Sequence, residues 1–455
     1  MQGAGMKILC AYNANIDAIY RVDGLQMSSF AQGYEEEIST RLQKLPGSIS
    51  SIPDFFAGLF YCMQKGVGAE WMIRDTGVFE WLRSNFLERS FMRMGGNMGI
   101  MANVLSELGA SAVIPNIPNP SSLQMSFFSD RAIFVPYEGK LQRSSDIHQS
   151  EPSGDSQELI HFVFDFKKGD SFLLLGKQMS VPRENRFIAT YDPLNFELHI
   201  DEEFSRYALS NIREMDGVLI AGYHLLREAY PDGSGYQEKL GRSLEQLRAW
   251  KSRNNKLHIH VELGHFSSTG IASDVFSGVA PIADSIGMNE DELAMLAGMY
   301  EIDASGMLEM DACSIIRAAA SICGAFGTGR ILVHTREFVI SVSPASASAS
   351  GEIFEALHFG VKCVAAFACS GKLADRNTLL AIASGIEESD HGRLQMAKIE
   401  DMIPIMYKEN GIIAEYSGYF VCAVPTRLCG QPVSTVGLGD TVSSAIFLRE
   451  LELGS

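Results

Sequence analysis

The stretch Ser434-Thr435-Val436-Gly437-Leu438-Gly439-Asp440-Thr441 places two glycines and a carboxylate just before a helical pattern, with apolar residues at Val442, Ala445, Ile446, Leu448 and Leu451. Two glycines let the backbone turn tightly and bring bare N–H groups against a ligand. A helix starting there adds unpaired N–H groups and the positive end of its dipole, a combination that suits phosphate. Asp440 is the discordant member. A carboxylate beside an anion site repels phosphate unless it has another task, and taking a proton from an attacking hydroxyl is such a task. The plainer alternative is a turn in which Asp440 is the helix N-cap. Residues 433–436 read as the end of a strand.

Other polar motifs fall at predicted strand ends and helix starts. His260-Val261-Glu262 and Asn289-Glu290-Asp291-Glu292 supply hard oxygen donors, and such donors, or waters held by them, are what Mg²⁺ requires. Asn289-x-x-Glu292 reads equally as a helix capping box. Arg93-Met94-Gly95-Gly96-Asn97-Met98-Gly99 sets a double glycine and an amide before apolar spacing at Met101, Val104, Leu105 and Leu108. This suits backbone approach to a small polar ligand, or tight helix packing. Asn13-Ala14-Asn15-Ile16-Asp17 follows a first apolar run at 7–12; in open parallel sheets ligands bind at that end of the strands. An Asx-rich turn is the structural alternative.

The elements that must position these groups follow an α/β rhythm. Helical spacing at 54–65, 79–86, 204–214 and 236–253 alternates with apolar runs at 217–221, 257–262, 284–287, 330–335, 338–342 and 363–368. Strands alternating with helices imply a mainly parallel central sheet covered by helices on both faces. Residues 159–166 and 186–191 alternate instead, as a half-buried antiparallel sheet would. The expected organisation is a large α/β domain (1–17, 51–154 and 201–455) and a small β-sheet lid (18–50 and 155–200). Residues 142–158 and 345–350 read as loops.

Composition limits the rest. Hydrophobic residues are 46% and charged residues 20% of 455, ordinary for a globular chain large enough for more than one domain. Lys+Arg 37 against Asp+Glu 55 gives a net charge of −18, which argues against nucleic acid or an anionic membrane as partner. No apolar run approaches transmembrane length, and no signal segment is apparent at the N-terminus. The eight cysteines form no C-x-x-C pair, so they read as buried residues in a reducing, cytoplasmic compartment rather than a zinc site or disulfide frame. No G-x-G-x-x-G follows the first strand, which sets aside a dinucleotide-binding dehydrogenase.

Taken together, the motifs at 13–17, 95–99, 260–262, 289–292 and 437–440, with Pro182-Arg183-Glu184-Asn185-Arg186-Phe187-Ile188 and Val333-His334-Thr335, resemble the ADP-dependent sugar kinases of archaea, the phosphofructokinase/glucokinase group of the ribokinase-like superfamily. The resemblance implies transfer of the β-phosphate of ADP to a sugar, leaving AMP. It implies Asp440 as catalytic base, Gly437, Leu438 and Gly439 as anion hole, and Val436, Gly439, His334 and Thr335 at the nucleotide. Glu262 and Glu292 would organise Mg²⁺, largely through water. Asn15, Asp17, Gly95, Gly96 and Asn97 would hold sugar hydroxyls. Lys167, Arg183, Asn185 and Arg186 favour a phosphorylated sugar, because guanidinium suits bidentate phosphate binding; which arginine meets sugar phosphate and which nucleotide phosphate stays open. Glu70 resembles a glutamate that contacts a glucose hydroxyl. The expected reaction is phosphorylation of fructose 6-phosphate at its 1-hydroxyl, with weaker activity on glucose, by a monomer or small homo-oligomer. A glucokinase is the nearest alternative, and a non-catalytic sugar or nucleotide sensor the alternative of a different class.

Overall fold

The computed structural model describes residues 5–118, 120–147, 158–174, 176–230, 232–345, 350–434 and 436–454. The chain forms two compact units. The large one comprises Met1–Ala14, Gly96–Gln149 and Asn195–Ser455; the small one comprises Asn15–Gly95 and Ser150–Leu194.

The large unit is built on a ten-stranded sheet. Ala112–Pro115, Lys7–Ala11, Gly217–Ile220, His258–Glu262, Ser285–Met288 and Ile331–His334 pair in parallel. Phe338–Pro344, Tyr419–Pro425, Ile412–Tyr416 and Ile405–Lys408 extend it antiparallel. The strands are apolar on both faces, as helices on both sides demand. Ile259, Val261, Ile331 and Val333 join the core with Leu247 and Trp250 of the Tyr236–Arg253 helix. Leu332 and Val339 face Leu357, Val442 and Ile446 on the other side. Glu262 and His334 stand at the carboxyl ends of their strands.

The small unit carries a five-stranded mixed sheet in the order Ala69–Met72, Asn185–Tyr191, Ile160–Phe166, Asn15–Arg21, Phe91–Gly95. Alternation divides its faces. Phe162, Phe164, Phe166 and Phe187 are buried, with Phe55, Phe79 and Phe86 of the helices Ile52–Lys65 and Thr76–Phe86 packed among them. The opposite face carries Asp17, His161, Asp165 and Arg186.

Several expectations change. Residues 51–95 belong to the small unit, because Ala69–Met72 and Phe91–Gly95 pair with strands distant in sequence and the Phe-rich helix packs beneath them. Asn15 to Asp17 join it, and 195–200 join the large unit. The small sheet is not purely antiparallel: Asn15–Arg21 runs parallel to Ile160–Phe166. Residues 363–368 are not a strand but part of the helix Ser350–Ser370; a short apolar run has no period by which to tell strand from buried helix. That helix is long and apolar enough to cross a bilayer, with mean hydropathy 1.4, but 67% of the apolar window is buried within the fold, the mark of a core helix. Cys369 and Cys429 form a disulfide across 60 residues of sequence, which spacing alone could not show. Residues 433–436 hold no strand among those described, and Thr435 lies outside them. Of the predicted loops, 142 and 143 end the strand Lys140–Arg143 and Ser350 begins the helix Ser350–Ser370, while 148–157 and 346–349 lie outside the described residues.

Candidate active site

The C-terminal helix Leu438–Leu453 begins one residue after Gly437, whose φ of 76° is the left-handed conformation glycine adopts without strain. Gly437 is therefore the N-cap, and Asp440 sits in the first turn rather than capping it. Gly439 packs on a ring: a Cβ there would come 3.2 Å from Cε1 of His334. The first-turn N–H groups of such a helix have no intrahelical acceptor and are free for an anion.

Asp440 is 7% exposed, and its Oδ1 accepts a hydrogen bond from Nδ2 of Asn97 at 2.8 Å. Burial pushes its carboxyl up to about 7; the Asn97 hydrogen bond and His334 oppose the rise, and Glu262 and Glu292 add to it. A carboxylate that exchanges its proton near neutrality can act as a general base.

The neighbouring strand ends carry a different arrangement. Glu262 Oε1 bonds Nε2 of His334 at 2.6 Å, and Oε2 bonds Nε2 of His260 at 3.1 Å. Nδ1 of His260 lies 2.6 Å from the Ser285 hydroxyl. Gly287 makes room, since a Cβ there would sit 2.0 Å from Oε2 of Glu262. Burial would raise the Glu262 carboxyl, but His334 and the two imidazole hydrogen bonds hold it at about 2. Burial works against His334 too, and Glu262, Glu292 and Glu290 overcome it and lift the imidazole to about 9. Glu292 completes a capping box: its Oε2 accepts the Asn289 N–H at 3.0 Å, and Asn289 Oδ1 accepts the Glu292 N–H at 2.8 Å. Burial, in spite of that hydrogen bond, moves Glu292 to about 7.

With both oxygens of Glu262 held by imidazoles and Glu292 tied to a helix end, these carboxylates offer no direct coordination shell. Among the described residues no group of three or more metal-binding side chains gathers. The donor set fits a Mg²⁺ whose own shell is phosphate oxygen and water.

Beside the Gly437 turn lies a cavity of about 630 Å³, of the size that holds a nucleotide. His334, Thr335, Leu438 and Gly439 line it, as do Val364 and Ala368 of the Ser350–Ser370 helix and Cys429. The Thr335 hydroxyl is engaged in its own turn, accepting from the N–H groups of Glu337 and Phe338. Val436 is half-buried, its carbonyl accepting from the Ser434 hydroxyl at 3.3 Å.

In the small unit, a polar row crosses the open face of the sheet. Asp17 accepts from Nδ2 of Asn15 at 2.9 Å and meets a guanidinium nitrogen of Arg93 at 3.5 Å. A Cβ at Gly95 would come 2.2 Å from Asp17 Oδ1, so glycine is obligatory there. His161 pairs in register with Asp17 on one side and Thr190 on the other, and its Nε2 bonds Asp192 at 2.9 Å. Glu70 accepts from the Thr190 hydroxyl at 2.6 Å. His161 is lifted to about 9, Asp192, Glu70 and Asp17 outweighing the opposing effect of burial.

The predicted sugar residues thus divide between the units. Asn15, Asp17, Glu70 and Gly95 join the small-unit cluster, whereas Gly96 caps the Asn97–Leu108 helix of the large unit and Asn97 turns to Asp440. The predicted basic group does not join the cluster. Arg186 reaches toward Asp165 at 3.8 Å, and it lies four residue steps along the strand from Thr190, roughly 13 Å. Lys167 and Arg183 are exposed. Asn185 is structural, with Nδ2 on the Gly66 carbonyl at 3.4 Å and Oδ1 accepting the Arg186 N–H. The sequence motifs contained Asn13 and Arg93 without giving either a role, and His161, Thr190 and Asp192 stood outside them. Only the period-2 alternation of 159–166 pointed to His161, by placing it on the open face.

Residues 6–449 match the ADP-specific phosphofructokinase/glucokinase conserved region. An ADP-specific phosphofructokinase of Pyrococcus abyssi is 28% identical, over 97% of each chain. An ADP-dependent glucose/glucosamine kinase of the same organism is also 28% identical, over 98% of this chain and 95% of its own. An ADP-dependent kinase solved in complex with fructose-6-phosphate and ADPβS is 25% identical, with a TM-score of 0.77 over 98% of this chain and 93% of its own.

Proposed function

The chain belongs to the ADP-specific phosphofructokinase/glucokinase family, and on that premise we propose that it transfers the β-phosphate of ADP to the 1-hydroxyl of fructose 6-phosphate, giving fructose 1,6-bisphosphate and AMP. The observation that carries this reading is the placement of Asp440: a buried carboxylate with a neutral amide donor, in the first turn of a helix that borders a nucleotide-sized cavity.

In this reading the cavity holds ADP along His334 and Gly439. The N–H groups of Leu438 and Gly439 face the oxygens of the transferring phosphoryl group, where charge develops. Asp440 removes the proton of the attacking hydroxyl. The imidazolium of His334, fixed by Glu262, adds positive charge. Bound Mg²⁺ would neutralise diphosphate charge, with Glu262 and Glu292 holding its water. Asn15, Asp17 and the Gly95 backbone grip sugar hydroxyls, with His161 and Arg93 bracing Asp17.

For the phosphorylated sugar the support is the family, the exposed Arg183 and Lys167, and the half-buried Arg186. Glu70, beside His161 and Thr190, favours a second, weaker activity on glucose. The protein is read as a cytoplasmic monomer or small homo-oligomer; six free cysteines fit a reducing compartment, and the Cys369–Cys429 bond runs against it. The test is AMP release from purified ADP with Mg²⁺ and either sugar, in parallel with ATP and free of adenylate kinase. Faster turnover with ADP and fructose 6-phosphate is expected. A preference for ATP, or for glucose, would overturn the donor or the sugar respectively.

A further inference from the structure

We infer that Asn13 and Asn97 form an amide relay that decides which oxygen of Asp440 takes the proton: Asn13 orients Asn97, Asn97 occupies Oδ1, and abstraction falls to Oδ2. This rests on Asp440 being the base.

The relay begins with a helix that cannot cap itself. Gly96, the N-cap of the Asn97–Leu108 helix, has φ 74° and no side chain to offer. Asn13, at the end of the first strand, supplies the cap from outside. Its backbone carbonyl accepts the Gly99 N–H at 3.2 Å, and its Oδ1 accepts the Met98 N–H at 3.3 Å. A backbone N–H only donates, so the atom it meets is the amide oxygen. Nδ2 of Asn13 then faces Asn97, 3.4 Å from Oδ1, the sole side-chain acceptor Asn97 has. That leaves Nδ2 of Asn97 to donate to Asp440 at 2.8 Å. Reversing either amide sets donor against donor or acceptor against acceptor. Asn13 is 4% exposed and packs against Gly222, where a Cβ would come 3.0 Å from its Oδ1.

Oδ1 of Asp440 accepts an N–H whether or not the carboxyl is protonated, so the proton has Oδ2 to bind. Oδ2 lies toward the Gly437 turn, 3.9 Å from where a Cβ at 437 would stand. There the sugar O–H bond breaks and an Oδ2–H bond forms. The oxygen's electron pair goes to phosphorus, and the bridging P–O bond breaks with its electrons on AMP. The first turns of the two helices are also locked by Ile100, whose Cγ2 would be 3.2 Å from a Cβ at Gly437. The charged groups acting on Asp440 are Glu262 and His334 from strand ends and Glu292 from a helix start. Asn13 and Asn97 carry no charge, so they orient the base without adding to that set.

Asn13→Asp keeps the acceptor for Met98 but can no longer donate. Asn97 should then turn its NH₂ group to residue 13 and its oxygen to the base. The expected result is an acid limb of kcat moved up by about one pH unit or more, with the KM for ADP within about twofold and the protein folded by thermal melt. Asn97→Ala, which removes the donor outright, should shift the limb the same way. If both variants fold and keep the wild-type limb, the relay is overturned and Asn13 is a helix cap only. Asp440→Asn separates the premise: near wild-type turnover removes the base and the relay with it, whereas an inactive Asp440→Asn beside unmoved limbs removes the relay alone.

Discussion

Asp440 in the large unit and Asp17 in the small one are both largely buried carboxylates, yet their surroundings are opposite. Asp440 meets an uncharged amide, and burial drives it to about 7. Asp17 meets Asn15, the Arg93 guanidinium and, in register, His161; burial raises it, but both cations counter the rise. Burial alone does not assign a role to an acid. Beside Asp440 only a neutral amide is bonded, whereas at Asp17 the bonded guanidinium and the neighbouring imidazole favour the anion and work against the burial that leaves its carboxyl above the ordinary range. Glu262 marks the far limit: fully buried, and held at about 2 by two imidazoles.

The largest effect expected is at the poised acid. Asp440→Asn should lower kcat by about 10²–10⁴-fold while ADP still binds. The same change should raise the melting temperature above pH 7. The folded-state pKa of Asp440 lies above the ordinary aspartate value of 3.8, so its contribution to stability is intact below 3.8 and is lost as pH rises through 7. A variant that keeps its turnover would erase the distinction between the two acids.

Next comes Glu262→Gln, which strips His334 of its partner. Breaking a buried ion pair costs about 3–5 kcal/mol. Glu262, lowered from 4.5 to about 2, contributes above 4.5 and is lost as pH falls through 2; His334, raised from 6.5 to about 9, contributes below 6.5 and is lost as pH rises through 9. The gap in unfolding free energy between wild type and variant should therefore be widest between pH 4.5 and 6.5. A gap independent of pH would mean that the pair is not ionised.

Asp17→Asn should raise the KM for sugar about 10–100-fold, the loss of one charged hydrogen bond, and leave the acid limb of kcat in place. A moved limb would make Asp17 a second base. The smallest effect is at Arg183, exposed and apart from the polar row. Arg183→Ala should raise the KM for fructose 6-phosphate about fivefold, the scale of an exposed ion pair, and spare glucose. Equal damage to both sugars would show that Arg183 serves the fold or the nucleotide.

The chemistry of single motifs was legible in the chain. Gly437, Gly439 and Asp440 announce a turn, a helix start and an acid because those residue types have few other uses together. The strands at 217–220 and 258–262 show through their apolar runs, and the Asn289–Glu292 capping box through its spacing. Local pattern carries such features because local backbone and hydration physics produce them. What the sequence could not show is which distant groups meet. The assignment of 51–95 to the small sheet, the Cys369–Cys429 bond, the His334 imidazole on Glu262 and the line from Asn13 through Asn97 to Asp440 depend on pairings 60 to 343 residues apart. Only the folded sheet and helix packing bring those groups to within hydrogen-bond reach. The ionisation of each acid is set by those non-local neighbours, so the residue type was written in the sequence and its state was decided by the tertiary structure.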